Sequence, residues 1–182
     1  MNHNPYKRKK DPQAIQQNIL DTAIKMVAEK GVTAVSLQSV ADVVGISKGG
    51  LLHHYASKQK LTEAMIVYIL QQIDSKIDEL IEADQTAYGC FTRAYIRLNL
   101  NAKDPILKLW NAFSMTMLTD KSYNSHWNNW FAQRLQKHHQ TDHALALHLL
   151  RYAADGLWLS NMIEDQNVSE MTDYLIEQSY NA

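Results

Sequence analysis

A chain of 182 residues that is 46% hydrophobic and 20% charged can bury a sizeable core, which excludes an intrinsically disordered protein. Its single cysteine, Cys90, excludes an internal disulfide and points to a reducing cytoplasm. The net charge of −1 conceals an asymmetry: residues 1–60 carry +5 and residues 61–182 carry −6. A basic head on an acidic body suits a polyanionic partner, though chance scatter plus a solvated tail gives the same numbers.

No run approaches the ~18 apolar residues of a membrane span. The N-terminal MNHNPYKRKKDPQ has basic residues with no apolar run behind them, unlike a signal peptide. Strand signals are sparse, and the chain reads as all-α. The first helix starts at Asp11-Pro12, a capping acid before a first-turn proline. Ile15, Ile19, Ala23 and Val27 then recur every fourth residue, with Leu20 and Ile24 beside them, until Gly31 closes the helix in a left-handed cap. Thr33 and Ser36 precede a second helix over 37–44, which Gly45 breaks. Ser47 caps a third over 48–54, and Ser57 a fourth from Lys58 to about Ala83. Further helices are expected near 86–101, 105–118, 122–139, 142–163 and 168–180, about nine in all.

The stretch GISKGGLLHHYASKQKL, residues 45–61, carries the chemistry. Val40 and Val44 are apolar at one-turn spacing, Ala41 is small, and Gly45 sits where two short helices must turn sharply. That is the pattern of a helix-turn-helix: Gly45 supplies a positive φ, Ile46 plugs the corner, and Leu37, Val40, Val44 and Leu51 face the first helix. Ser47, Lys48, Gly49, Gly50, Leu52, His53 and Tyr55 are left outward. A backbone bare of side chains at Gly49 and Gly50 can approach phosphates or base edges, and Lys48 adds charge. His53, His54 and Tyr55 can hydrogen-bond or stack, Lys58 is placed for a phosphate, and Ser36 and Gln38 open the second helix on the same side. The basic arm Lys7, Arg8, Lys9 and Lys10 completes the DNA-contact candidates. An ordinary helical corner is the competing reading.

SLQSVADVVGISKGGLLHHYASKQKL resembles the DNA-binding signature of the TetR/AcrR family of transcriptional regulators. The matching positions are Gly45, Ile46, Ser47, Lys48, Gly49, Leu51, His54, Ser57, Lys58 and Leu61, and the resemblance covers residues 11–61. Leu52 departs from the family's common tyrosine, Gly50 from Ser or Thr, Tyr55 from phenylalanine and Gln59 from an acid. The phosphate contact of the missing tyrosine would pass to His53, His54 or Tyr55. The resemblance implies a three-helix DNA-binding head over 1–57 and a helical effector-binding and dimerisation body over 58–182. It also implies a homodimer that places two heads on one palindromic operator.

The body supports this loosely. HALALHLLRYAADGLWLSNMIED puts Leu145, Leu149, Tyr152, Gly156, Leu159 and Ile163 on one stripe, and Ala146, Leu150, Ala153, Leu157 and Met162 on a second. VSEMTDYLIEQSY adds Met171, Tyr174, Leu175 and Gln178. Leu149, Tyr152, Gly156, Leu159, Ile163, Tyr174, Leu175 and Gln178 are therefore the dimer-interface candidates, unless both stripes are internal core. The aromatic middle offers Trp110, Phe113, Met117 and Trp130 as pocket candidates, where plain core packing competes. Asp155 and Trp158 join them because an indole near a carboxylate suits a cation.

Other classes have little support. No Glu-x-x-His exists for a di-iron centre, and Cys90 has no adjacent base, so no enzyme is expected. His139 and His143 straddle a suspected break at Thr141-Asp142, so no metal or cofactor is assigned. The expected function is that of an effector-responsive one-component regulator, a repressor that a small molecule releases from DNA, with the fourth helix as the lever. The alternative is a helical interaction module that has lost specific DNA binding.

Overall fold

The computed structural model describes residues 11–101, 104–164 and 168–182. Among them are ten α-helices and no strand. The chain separates into two compact units, one ending at Met65 and the other starting at Ile66.

In the first unit, helix α1 (Pro12–Lys30) starts where the Asp11 carboxylate accepts the Gln13 N–H at 3.0 Å, with Pro12 in the first turn. It ends at Gly31, whose φ of 78° is positive as expected. Its ψ of 165° places it outside the left-handed helical well that the sequence suggested. A 3₁₀ turn, Val32–Ala34, leads to α2 (Leu37–Val44) and then α3 (Lys48–His54). Helix α2 packs on both α1 and α3. Ile19, Ala23, Val27, Val40, Ala41 and Leu51 are buried, so α1 presents its four-residue repeat to the core. Leu37, Val44 and Ile46 are only half-buried, and Val35, from the loop, supplies part of the core expected of them. Helix α4 (Lys58–Glu82) begins where Ser57 Oγ accepts the Lys60 N–H at 3.1 Å.

The second unit is built around α5 (Cys90–Asn99), which is buried at every residue but Arg97. Around it run α6 (Pro105–Thr119), α7 (Lys121–Lys137), α8 (His139–Asp142), α9 (Leu145–Glu164) and α10 (Ser169–Gln178). Helix α5 packs against α8, α9 and α10, while α6 pairs with α7. Ile96 and Leu100 form a core cluster with Ala154, Val168 and Leu175.

A buried helix carrying Thr92, Arg93 and Asn99 must satisfy each polar group internally. Arg93 Nε donates to Asp84 at 2.6 Å and Nη2 to the Thr86 carbonyl at 2.6 Å, with Tyr180 stacked on the guanidinium at 4.2 Å. Asp142 caps the first turn of α5 from a distance, accepting the Thr92 N–H at 2.8 Å and the Thr92 hydroxyl at 2.7 Å. Gly89, before α5, has a φ of 71°. A Cβ there would lie 3.0 Å from both Arg93 Nη1 and the Ser179 carbonyl oxygen, so only glycine fits.

The expectation of about nine helices agrees with the ten among the described residues, the additional one being α8, a separate four-residue turn. One boundary is corrected. The helical run breaks twice, at His138 and at His143–Ala144, and not at Thr141-Asp142, where Asp142 ends α8 and is held by α5.

Candidate functional site

The head is shaped by caps. Ser36 accepts the Ser39 N–H at 3.0 Å while Ser39 Oγ accepts the Ser36 N–H at 3.0 Å, a reciprocal capping box that starts α2. At the other end Gly45 adopts φ 77° and ψ 35°, the left-handed conformation that the sharp turn demands. The N–H groups of Gly45 and Ile46 both donate to the Ala41 carbonyl, at 2.9 and 3.0 Å. Ser47 then caps α3 by accepting the Gly50 N–H at 3.0 Å. Ala41 is fully buried, as a close helix crossing requires.

These caps fix what α3 presents. Ser47, Lys48, Gly49, Leu52 and His53 are exposed, and Gly50 and His54 are half-buried. Lys58 is exposed at the start of α4. Ser36 and Gln38 are exposed on α2, with the Gln38 amide donating to Asp42 at 2.7 Å. Neither Gly49 nor Gly50 has a positive φ. A Cβ on Gly49 would meet nothing nearer than Ser47 Oγ at 4.0 Å. Folding therefore does not demand glycine at position 49. Tyr55 is corrected from outward to inward: it is 6% exposed, and its hydroxyl reaches the Gln16 carbonyl on α1 at 3.5 Å. Burial pushes its phenol pKa up. The phenylalanine of the resembled signature already hinted at an apolar anchor there. Lys7, Arg8, Lys9 and Lys10 lie outside the described residues.

The second unit contains a cavity of about 340 Å³. Its lining includes Trp110, Met117, Asp155 and Trp158, four of the six pocket candidates. Phe113 is fully buried behind it and does not line it. Trp130 lines a separate, smaller void with Ile73 and Ile77, and donates its indole N–H to Asp74 at 2.8 Å. Sequence reasoning missed Tyr95, Asn99, Ser114, Leu118, Asn124 and Trp127 on the wall, and it set Gly156 and Leu159, which line the cavity too, on the dimer stripe. Tyr95 and Asn99 sit one turn apart on α5, and both donate to Asp155 Oδ1, at 2.6 and 3.0 Å. The spacing of Tyr95 and Asn99 was visible in the sequence, but their partner is 60 and 56 residues away. Burial pushes the Asp155 carboxyl above its usual range, against the opposing effect of the Tyr95 and Asn99 hydrogen bonds. Trp110 and Trp127 lie 4.6 Å apart at their ring centroids, and the Trp158 indole N–H donates to Asn111 at 2.7 Å.

Helix α9 exposes an apolar stripe. Leu149, Tyr152 and Ile163 are 58%, 65% and 74% exposed, with Leu145, Gly156 and Leu159 exposed among them. Tyr174 and Met171 on α10 are exposed too, and Gln178 is half-buried. Leu175 is corrected from the interface to the interior, because it points into the α5–α9 core cluster. The second stripe also shifts by one residue: Leu147, Arg151 and Ala154 are the buried positions of α9, whereas Ala146 and Ala153 are exposed.

Cys90, His138 and Asp142 bring metal-ligand atoms within 4.8 Å of one another. The Asp142 oxygens are already taken by Thr92 and Thr141, so the cluster is explained as the α5 cap. His138 stacks on Phe91 at 5.3 Å, and burial lowers its pKa. No helix among the described residues is long and apolar enough to cross a membrane.

Comparison with known proteins agrees with both units. Residues 19–65 match the model of the bacterial regulatory proteins of the tetR family, and residues 89–179 match the tetracyclin repressor-like C-terminal domain. The HTH-type transcriptional repressor KstR2 of Mycobacterium tuberculosis is 29% identical over 65 residues, 36% of this chain and 32% of that protein. The chain thus spans about a third of the length of the first curated relatives it matches. The HTH-type transcriptional regulator BetI of Burkholderia cenocepacia is 28% identical over 155 residues, 78% of each chain. Among solved structures, the multidrug binding protein EbrR complexed with ethidium shares the fold with a TM-score of 0.70 at 17% identity, covering 98% of this chain and 99% of that one. The putative regulator SCO7518 from Streptomyces coelicolor gives a TM-score of 0.71 at 16% identity, covering 91% and 98%. With a capped helix-turn-helix in one unit, a helical bundle in the other and a family match to each, the chain belongs to the TetR family of bacterial regulatory proteins.

Proposed function

We propose that this protein is a one-component transcriptional repressor, which binds a palindromic operator as a homodimer and leaves it when a small molecule enters the cavity of the second unit. The observation that carries the reading is the first turn of α3, exposed at Lys48 and free of side chains at Gly49 although the fold has room for one there. A duplex backbone can approach such a surface closely, and Lys48 and Lys58 supply phosphate contacts. The exposed stripe of α9 with Tyr174 of α10 supports a homodimer built on paired helices. Two heads docking in successive major grooves must sit about 34 Å apart, so a ligand that changes this spacing by a few ångströms weakens binding.

Selection of genomic fragments by the purified protein tests the reading. A recovered inverted repeat, bound with affinity that falls steeply as salt rises, supports it. Lys48→Ala should weaken binding to all sequences and reduce the salt slope by about one. Exposed Leu52, where the signature has a tyrosine, favours the second reading: a helical interaction module without specific DNA binding. Recovery of random fragments would establish that reading instead.

A further inference from the structure

Asp155 is the only formally charged residue among the described residues that line the cavity. Its two hydrogen bonds, from Tyr95 and Asn99, both fall on Oδ1 and both come from neutral donors. Arg151, the buried cation on the same helix, attracts Asp155 only through space, because its guanidinium is bonded to Thr92 and the Asp142 carbonyl. A carboxylate facing a largely apolar cavity with no cation in direct contact among the described residues is costly, and an anionic ligand would raise that cost. The wall offers one carboxylate among neutral and apolar groups, a donor set poor in the charged oxygens that divalent cations favour. Trp110, Trp127 and Trp158 line the same space, and indole is the best aromatic partner for a weakly hydrated cation.

We infer that the cavity takes a monovalent organic cation, with its charge set beside Asp155 and its apolar body against the indoles of Trp110, Trp127 and Trp158. This rests on the reading of the cavity as the effector site and specifies its ligand class. A volume of about 340 Å³ lies near the lower end of the range of small-molecule sites, so the ligand is a compact one.

Titration of the full-length protein with benzyltrimethylammonium, its neutral isostere neopentylbenzene and benzoate, followed by tryptophan fluorescence, tests the inference. The cation should bind at least about tenfold more tightly than the isostere, and benzoate least of all. Asp155→Asn keeps an acceptor for Tyr95 and Asn99 while removing the charge, and should cut the preference to under about threefold without weakening the isostere. Trp127→Leu should lower cation affinity with Asp155 intact, and circular dichroism of both variants confirms that they fold. Equal affinity for cation and isostere in the wild type, or an unchanged preference in Asp155→Asn, overturns the ligand class. The same titrations on operator-bound protein separate the two readings. Selective cation binding without DNA release overturns the effector reading alone, and release by the neutral or anionic probe but not by the cation overturns the ligand class alone.

Discussion

Gly50 donates its backbone N–H to Ser47 Oγ at 3.0 Å, and a Cβ on Gly50 would crowd that same oxygen at 3.3 Å. The two glycines of α3 therefore differ: Gly50 sits tight against its own cap, whereas a Cβ on Gly49 would meet Ser47 Oγ only at an ordinary contact of 4.0 Å. Gly49→Ala should stabilise the head by about 0.5–1 kcal/mol, because alanine lowers the entropy lost on folding and favours the helix. The same methyl should weaken operator binding if the backbone of this turn meets DNA. A thermal melt with an affinity titration checks both signs. Higher stability with unchanged affinity would mean that the turn does not approach the duplex.

Tyr55 anchors the end of α3 on α1 and has little surface to offer DNA. Tyr55→Phe should leave operator affinity and its salt slope unchanged. Tyr55→Ala should destabilise the head by about 3–5 kcal/mol through the cavity it leaves. A loss of DNA affinity in Tyr55→Phe at unchanged stability would restore Tyr55 to the contact surface.

Gly89 meets two independent constraints, a φ of 71° and contacts of 3.0 Å on both sides of a hypothetical Cβ. Gly89→Ala should cost about 1–3 kcal/mol, the scale of a strained backbone position. Urea unfolding measures it. A loss under about 0.5 kcal/mol would show that the junction before α5 relaxes freely.

Asp155 carries a pH prediction. Burial raises its folded pKa above the ordinary aspartate value, so its ionised form is disfavoured in the folded state. The penalty is absent below the unfolded value, grows as pH rises from the unfolded to the folded value and is fully present beyond it. In unliganded protein, the stability of Asp155→Asn relative to wild type should therefore rise from pH 3 to neutrality. Parallel melting curves across that range would show instead that Asp155 is solvated or paired.

The exposed stripe of α9 should be the dimer contact. Leu149→Glu with Ile163→Glu should give a monomer in sedimentation while helical content by circular dichroism stays constant. A doubly substituted protein that remains dimeric would move the interface elsewhere.

The head was legible because its signals are local. Asp11-Pro12, Ser36, Gly45, Ser47 and Ser57 act within four residues, and each of α1 to α4 begins at one of them. Tyr55 was misread because its partner is Gln16, 39 residues earlier, and a tyrosine at a helix end reads equally well as anchor or contact. In the second unit the same limit applies more widely. Periodicity gave two apolar stripes on α9 but placed the buried one a residue away, because the buried row contains Arg151, a charge that hydropathy assigns to solvent. Arg151 is inside only because Thr92 and Asp142, from α5 and α8, satisfy it. The cavity wall was half-found for the same reason: Trp and Met mark apolar volume anywhere, whereas the polar contribution of Tyr95 and Asn99 exists only once α5 meets α9.

Helix α3 is clamped at one end by the Ser47 cap and at the other by Tyr55 and Leu51, while Lys48, Gly49, Leu52 and His53 carry none of that load. Sequence drift at those four exposed sites is thereby released from purifying selection for foldability. Single codon changes there alter the face of α3 without passing through an unfolded intermediate.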